Sequence, residues 1–260
     1  MERVSLDVPM PSNSALTKAG AALRPMMSGL ELTTAQIDAA IEAIPIVDRW
    51  RSSFAPVMNA TKAWLRSAIV TANCSKSVLE VKSRHKQWPS ILQKLHARQN
   101  MRLAQMEDVA GCRVVLQSIG EVRRLEQQLH RGARSVTFGP TDDYVAQPRR
   151  GGYRAVHLHT VRTVRQGGEV LGAWRVEVQL RTELQHTWAE AVETFDSAFG
   201  CDVKHEDAPE EVLVYFRALA EYYADLDHGV DADASATELA RVTPAFEASM
   251  RSRIREEGDG

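Results

Sequence analysis

Two runs, RAVHLHTVRTVR at 154–165 and GAWRVEVQLR at 172–181, flank Gly167-Gly168. Extended runs rich in Val and Thr on either side of a glycine pair read as a β-hairpin. Side chains alternate across a strand, so Val176, Val178 and Leu180 share one face while Glu177, Gln179 and Arg181 share the other. On the partner run Val156 and Leu158 oppose His157 and His159. One sheet face is therefore core. The other carries Glu, Gln, Arg and His, which suits either a solvated outer face or the floor of a site. Thr182-Glu-Leu-Gln185 follows with a capping-box pattern, and Leu184, Trp188, Val192, Phe195 and Phe199 recur at helical spacing. The hairpin thus leads directly into a helix.

Upstream, Cys112–Leu116 is a short β-rich run, residues 119–131 read as a helix stopped by Gly132, and Ser135–Phe138 as a second short strand. Pro89 suits the first turn of a helix whose inner face is Ile91, Leu92 and Leu95. Residues 71–83 read as a polar joint. Thr33-Thr-Ala-Gln36 starts a helix with Ile37, Ala40, Ile41 and Ile44 on one face, interrupted by Pro45. A second helical stretch runs from about Val47 to Ile69, with Trp50, Phe54, Val57, Trp64 and Leu65 as core. Residues 1–30 are mixed and punctuated by Pro9, Pro11 and Pro25. Helices are also expected near 208–227 and 236–255, followed by a frayed tail from Glu256. No internal repeat or low-complexity segment stands out.

The chain has 260 residues, 44% hydrophobic and 25% charged, which excludes a largely disordered chain. Its net charge is −2, so a protein holding duplex DNA by global charge is excluded and any nucleic-acid contact must be a local patch. Aromatics are 6%, too few for extensive stacking on single strands. Cys74, Cys112 and Cys201 form neither a disulfide framework nor a CxxC zinc pair, and the histidines are too scattered for a zinc set. The start, MERVSLDVPM, lacks the pattern of a signal peptide, and no apolar run approaches the roughly 18 residues of a membrane span. A reduced, cytoplasmic protein with no membrane association is expected.

Three groups could do chemistry. Arg84, Lys86, Ser90 and Lys94 gather at a helix start, where free backbone N–H groups attract anions; the cations there would repel without an anion between them. A polyphosphate fits, and so does a solvated basic helix end. Asp108 precedes a buried strand, where a carboxylate can hold Mg²⁺ with phosphate oxygens or simply cap a turn. In the loop Asp142–His157, Gly151-Gly152 forms a hinge that presents Tyr153 among Arg149, Arg150 and Arg154. Such a ring suits stacking on a purine; an ordinary hairpin loop is the alternative.

The ordered set Arg-x-Lys-x₃-Ser-x₃-Lys, Asp-x₄-Arg, Gly-Tyr-Arg-Ala-Val-His and Glu-Val-Gln-Leu-Arg-Thr across 84–182 resembles the synthetase domain of the RelA/SpoT alarmone synthetases. Pro11–Arg24 and the stretch near 192–195 resemble a small stand-alone subgroup, and the short span ahead of the motifs implies a single-function synthetase. The family moves a pyrophosphate from ATP to the 3′-OH of GDP or GTP, giving (p)ppGpp. The resemblance implies an α/β (α+β) nucleotidyltransferase-like fold, a mixed sheet of about five strands flanked by helices. It divides the chain into an N-terminal helical region (1–78), a synthetase core (79–200) and C-terminal helices (201–260).

By resemblance, Arg84 and Arg113 sandwich the ATP adenine, and Lys86, Ser90 and Lys94 hold its phosphates. Asp108 and Glu177 are the catalytic carboxylates that bind Mg²⁺, Glu177 also accepting the hydroxyl proton. Tyr153 stacks on the acceptor base; Arg149, His157, Gln179, Arg181 and His186 line the acceptor side. Arg149 stands where the family usually has Lys, Val192-Glu193 replaces a usual Glu-His, and the Tyr-Lys usually found downstream is absent, departures on the acceptor side. A toxin-like relative, transferring to adenine nucleotides or the 3′ end of tRNA, is the alternative. For it Arg149, Arg150, Arg154, Arg162 and Arg165 would meet RNA and an antitoxin could be a partner. A non-catalytic nucleotide-binding module is the third reading. Homo-oligomers occur among small relatives. Cys112 reads as a core residue.

Overall fold

The computed structural model describes residues 10–132, 135–166 and 169–258. Five strands form one mixed sheet in the order β1-β2-β5-β4-β3. They are β1 (Val78–His85), β2 (Ala110–Leu116), β3 (Val136–Asp143), β4 (Val156–Gln166) and β5 (Glu169–Thr182). Only β2 and β5 pair in parallel; the other neighbours are antiparallel. The α/β class and strand number match the expectation. The β4–β5 hairpin has the expected alternation, with His157 opposite Gln179 and His159 opposite Glu177. The expected turn at Gly167-Gly168 lies outside the described residues.

The helices are α1 (Asn13–Leu23), α2 (Thr34–Ser52), α3 (Ala55–Thr71), α4 (Trp88–Ala97), α5 (Ile119–His130), α6 (Glu183–Phe199), α7 (Glu210–His228) and α8 (Asp233–Gly258). Helices α3 and α5 pack on the apolar sheet face, where Cys112, Val114, Leu158, Val176, Val178 and Leu180 are buried. Burying such a side chain contributes roughly 1.5–3 kcal/mol. Helices α1, α2 and α4 extend this core. A second cluster joins α6, α7 and α8 through Trp188, Val192, Phe195 and Phe216, and it includes Tyr153 and Ala155 from the segment entering β4. The C-terminal helices thus grip the chain just before the hairpin.

Four local expectations need correction. Strand β1 begins inside the stretch read as a polar joint. Its charged residues, Glu80, Lys82 and Arg84, sit on one face of an edge strand, where long charged side chains are common. Helix α1 occupies part of the stretch read as mixed, capped by the Ser12 side chain. Pro45 does not interrupt α2, which runs on to Ser52. The break comes instead at Ser53–Phe54, before Pro56, whose missing N–H falls in the free first turn of α3. On α2 the buried face is Ala40, Ala43, Val47 and Trp50, while Ile37, Ile41 and Ile44 point outward.

Gly151 and Gly152 serve close approach rather than flexibility. A Cβ on Gly151 would lie 2.6 Å from the Val203 carbonyl oxygen. One on Gly152, at φ +95°, would lie 2.6 Å from the Ala220 Cβ. Gly152→Ala should therefore destabilise the protein by about 2–4 kcal/mol in urea unfolding, from backbone strain and overpacking combined.

Candidate active site

Register builds the polar sheet face. On β2, Gly111 lies beside Glu177, Arg113 beside Gln179 and Val115 beside Arg181. On β1, Arg84 lies opposite Gly111 and Lys82 opposite Arg113. Residues Arg84, Arg113, His157, Glu177, Gln179 and Arg181 thus share one face.

Five side chains close a hydrogen-bonded circuit. His157 Nδ1 lies 2.7 Å from Glu177 Oε1, and Gln179 Nε2 donates to the same oxygen at 2.8 Å. Arg181 Nη2 donates to Gln179 Oε1 at 3.1 Å and to the Tyr153 hydroxyl at 2.7 Å. That hydroxyl lies 2.6 Å from His157 Nε2. Tyr153 accepts from Arg181, so its own proton is free for His157 Nε2, and His157 carries its ring proton on Nδ1 toward Glu177. The circuit leaves Arg181 Nε and Nη1 without an acceptor. Burial raises the Glu177 carboxyl. The hydrogen bond from His157, that from Gln179 and, when protonated, the charges of His157 and His159 outweigh burial and hold its pKa at about 2.

Asp108 precedes β2 by two residues, so it stands at the end of the β2–β5 pairing where Glu177 meets Gly111. Its Oδ2 receives both Lys86 Nζ and Lys94 Nζ at 2.9 Å. The anion needed between these cations is, in the free chain, this carboxylate. Burial raises the Asp108 pKa, but the charges and hydrogen bonds of the two lysines hold it below the usual range. Its Oδ1 is buried without a partner, an open oxygen donor. Among the described residues no three His, Cys, Asp or Glu groups form a metal cage. A cation here would take one or two carboxylates and complete its shell with substrate oxygens. Ser90 stands in the first turn of α4, one turn before Lys94.

Arg113 is held by Glu80 at 2.9 Å and approaches Glu190 at 4.0 Å. His186 Nε2 lies 3.2 Å from the same Glu190, which groups it with Arg113. Arg84 is exposed on the same face. The Arg149 guanidinium lies 4.4 Å above the Tyr144 ring and donates to the Tyr144 hydroxyl at 2.6 Å.

Tyr153 is not a ring presented on a hinge. It is 5% exposed, edge-on to Tyr144 and His157, with Arg181 and Lys204 over its ring at 5.1 and 5.7 Å. Arg154 is buried too, clamped to Glu221 by two bonds of 2.9 Å and donating to the carbonyls of Gly152 and Ala220. It fastens the loop to α7. Arg162 is buried beside Trp64. Of the five arginines expected to meet RNA, only Arg149 and Arg150 are exposed in this loop, and the side chain of Arg165 lies outside the described residues. Sequence reasoning passed over Tyr144, Asp142 and Lys204, and noted Glu193 only as a departure from the family pattern. Asp142 and Tyr144 stood in the quoted loop but carried no signal of their own, and Asp142 now bonds His159 at 3.0 Å.

Residues 83–195 match the family model described as a region found in RelA / SpoT proteins. That stretch resembles a RelA/SpoT region. It includes α4, β2 to β5 and most of α6, and so contains both carboxylates. The Mycobacterium tuberculosis protein Rv1366 is 33% identical over 141 residues, covering 53% of this chain and 47% of that relative. The Bacillus subtilis GTP pyrophosphokinase YjbM is 28% identical over 125 residues, covering 47% and 54%. The chain thus matches about half the length of these relatives. Among solved structures, small alarmone synthetase 1 of Bacillus subtilis bound to pppGpp aligns with a TM-score of 0.59 at 22% identity, covering 70% of this chain and 94% of the other. A GTP pyrophosphokinase family protein of Streptococcus pneumoniae gives 0.59 at 20%, covering 74% and 96%. At this identity the likeness establishes the fold of the RelA/SpoT region. Among the described residues no helix is long and apolar enough to cross a membrane.

Tyr153→Phe keeps the ring and removes the hydroxyl. It should leave Arg181 and His157 each short of a partner and lower stability by about 1–3 kcal/mol in urea unfolding. A ring serving only as a stacking surface would show no such loss.

Proposed function

We propose that this protein is a pyrophosphokinase that transfers the β,γ-pyrophosphate of ATP to the 3′-OH of a guanine nucleotide, GDP or GTP, making (p)ppGpp. The observation that carries the reading is the Asp108 carboxylate bracketed by Lys86 and Lys94 at the end of the strand pair that also bears Glu177, all inside the RelA/SpoT region. The names of its relatives, a GTP pyrophosphokinase and a pppGpp-bound alarmone synthetase, agree with it.

The chemistry asks for little beyond positioning and charge neutralisation. The acceptor hydroxyl gives its proton to Glu177, its oxygen bonds to the β-phosphorus, the bond from that phosphorus to the α-phosphate oxygen breaks, and AMP leaves. Lys86 and Lys94, with Ser90 in the first turn of α4, hold the ATP phosphates. Arg84 and Arg113 flank the adenine, Arg113 first releasing Glu80. The open Oδ1 of Asp108 and the ionised Glu177 fit Mg²⁺, a hard ion that prefers oxygen donors. When bound it would neutralise charge on the transferred group. Glu177, held ionised in the circuit, would serve as an anionic ligand to the metal and, as the resemblance implies, take the proton of the acceptor hydroxyl. Gln179, His157, Arg181, His186 and Arg149 line the acceptor side. The tRNA reading loses two of its five arginines to burial, and the guanine nucleotide is preferred.

Asp108→Ala and Glu177→Ala should each lower transfer by about 10²-fold or more while circular dichroism stays unchanged. Radiolabelled ATP offered with GDP, GTP, ADP and tRNA should place the label on GDP or GTP. Label on tRNA or ADP would move the protein to the toxin-like class. Binding of nucleotide with no transfer to any acceptor would make it a binding module.

A further inference from the structure

The turn between α6 and α7 reaches back over the acceptor side. Val203–His205 forms a short 3₁₀ turn whose Val203 is fully buried. Val203 N–H donates to Asp196 at 3.0 Å, and its carbonyl lies against the bare Gly151 backbone. This fastening fixes Lys204. Its Nζ lies 5.7 Å from the Tyr153 ring centroid and 2.8 Å from Glu193 Oε1. The lysine side chain is 21% exposed and the glutamate 45%, so the pair opens to solvent on the glutamate side.

Glu193 feels the three cations Lys204, Arg84 and Arg181, and Asp196 is a second carboxylate near Lys204. Arg181 is 3% exposed, and its Nε and Nη1 donors have no acceptor. A buried guanidinium with two unmet donors beside a second desolvated cation calls for a further anion. Burial lowers the Lys204 pKa, Glu193 and Asp196 raise it, and Arg181 lowers it further.

Resting on the pyrophosphokinase reading, we propose that Lys204 is a specificity-determining cation of the acceptor site. It binds the phosphate on the 5′ side of the acceptor ribonucleoside, and Glu193 is the placeholder that this phosphate displaces. The same phosphate chemistry is offered by a free nucleotide and by an RNA 3′ end, and the choice of acceptor separates them.

The test measures transfer from ATP to GDP, GTP and tRNA by the full chain, with equilibrium binding of GTP in the absence of ATP as a second readout. Lys204→Met should raise the KM of the accepted substrate, and weaken GTP binding, by about tenfold to hundredfold, the worth of a charge-assisted hydrogen bond. The KM for ATP should stay within about twofold, and Lys204→Arg should restore most of the loss. Glu193→Gln should act in the opposite direction and tighten acceptor binding, because the placeholder charge is gone. A merely structural ion pair would make Lys204→Met and Glu193→Gln move acceptor binding the same way. That result, or an unchanged acceptor KM in Lys204→Met, overturns the proposal. If the wild type transfers pyrophosphate to nothing, the pyrophosphokinase reading falls, and Lys204 is judged by GTP binding alone: weakened binding in Lys204→Met supports it, and unchanged binding overturns it.

Discussion

The arrangement turns on the closed circuit around Glu177. Three of its members, His157, Glu177 and Gln179, lie on adjacent antiparallel strands whose register brings them side by side. Arg181 lies two residues further along β5, on the same face. The fifth, Tyr153, belongs to a different core, the one built by α6, α7 and α8. The hydroxyl of Tyr153 is therefore where the helical cap meets the sheet. It sets the histidine tautomer, and the histidine sets the state of the carboxylate. The packing of Trp188, Phe195 and Phe216 is in this way connected to the ionisation of a group on β5. The site depends on both cores at once, because neither holds all five side chains.

A second regularity runs across the face. Four cations of this face are engaged by carboxylates of the chain: Lys86 and Lys94 by Asp108, Arg113 by Glu80, Lys204 by Glu193. An unpaired charge in a partly desolvated place is costly, and at an effective dielectric near 20 a pair at 4 Å gains about 4 kcal/mol. These pairs keep the face intact without ligand. They also set the condition for binding, since an incoming phosphate must out-compete a carboxylate that is already in place. A polyphosphate carries several charges on closely spaced oxygens and can engage several such cations at once. A single carboxylate or a monophosphate has less to offer against pairs that are already made. Arg154 shows the contrast: buried, bidentate to Glu221 and tied to two carbonyls, it has no donor to spare and acts as a fastening.

Much of this was legible in the sequence because it rests on period-two alternation and short-range capping. The hairpin, its polar face and the helix starting at Thr182 follow from residues within a few positions of one another. What escaped depends on contacts distant along the chain. Strand β1 was unreadable because an edge strand bordering a charged site carries charge itself, so its composition imitates a loop. Pro45 and Pro56 illustrate a local ambiguity. Each could end a helix, and the side on which Trp50 and Phe54 are buried decides that the chain turns at the second. Tyr153 misled for a related reason. Two glycines beside an aromatic suggest a hinge, yet here they let Val203 and Ala220 approach the backbone and seal the ring in. The residue that gains from this sealing, Lys204, lies about fifty positions further along the chain, in a turn with no motif of its own. Its place over the Tyr153 ring is set by the missing Cβ of Gly151, so the glycine that looked like freedom at one site is a close-packing constraint at another.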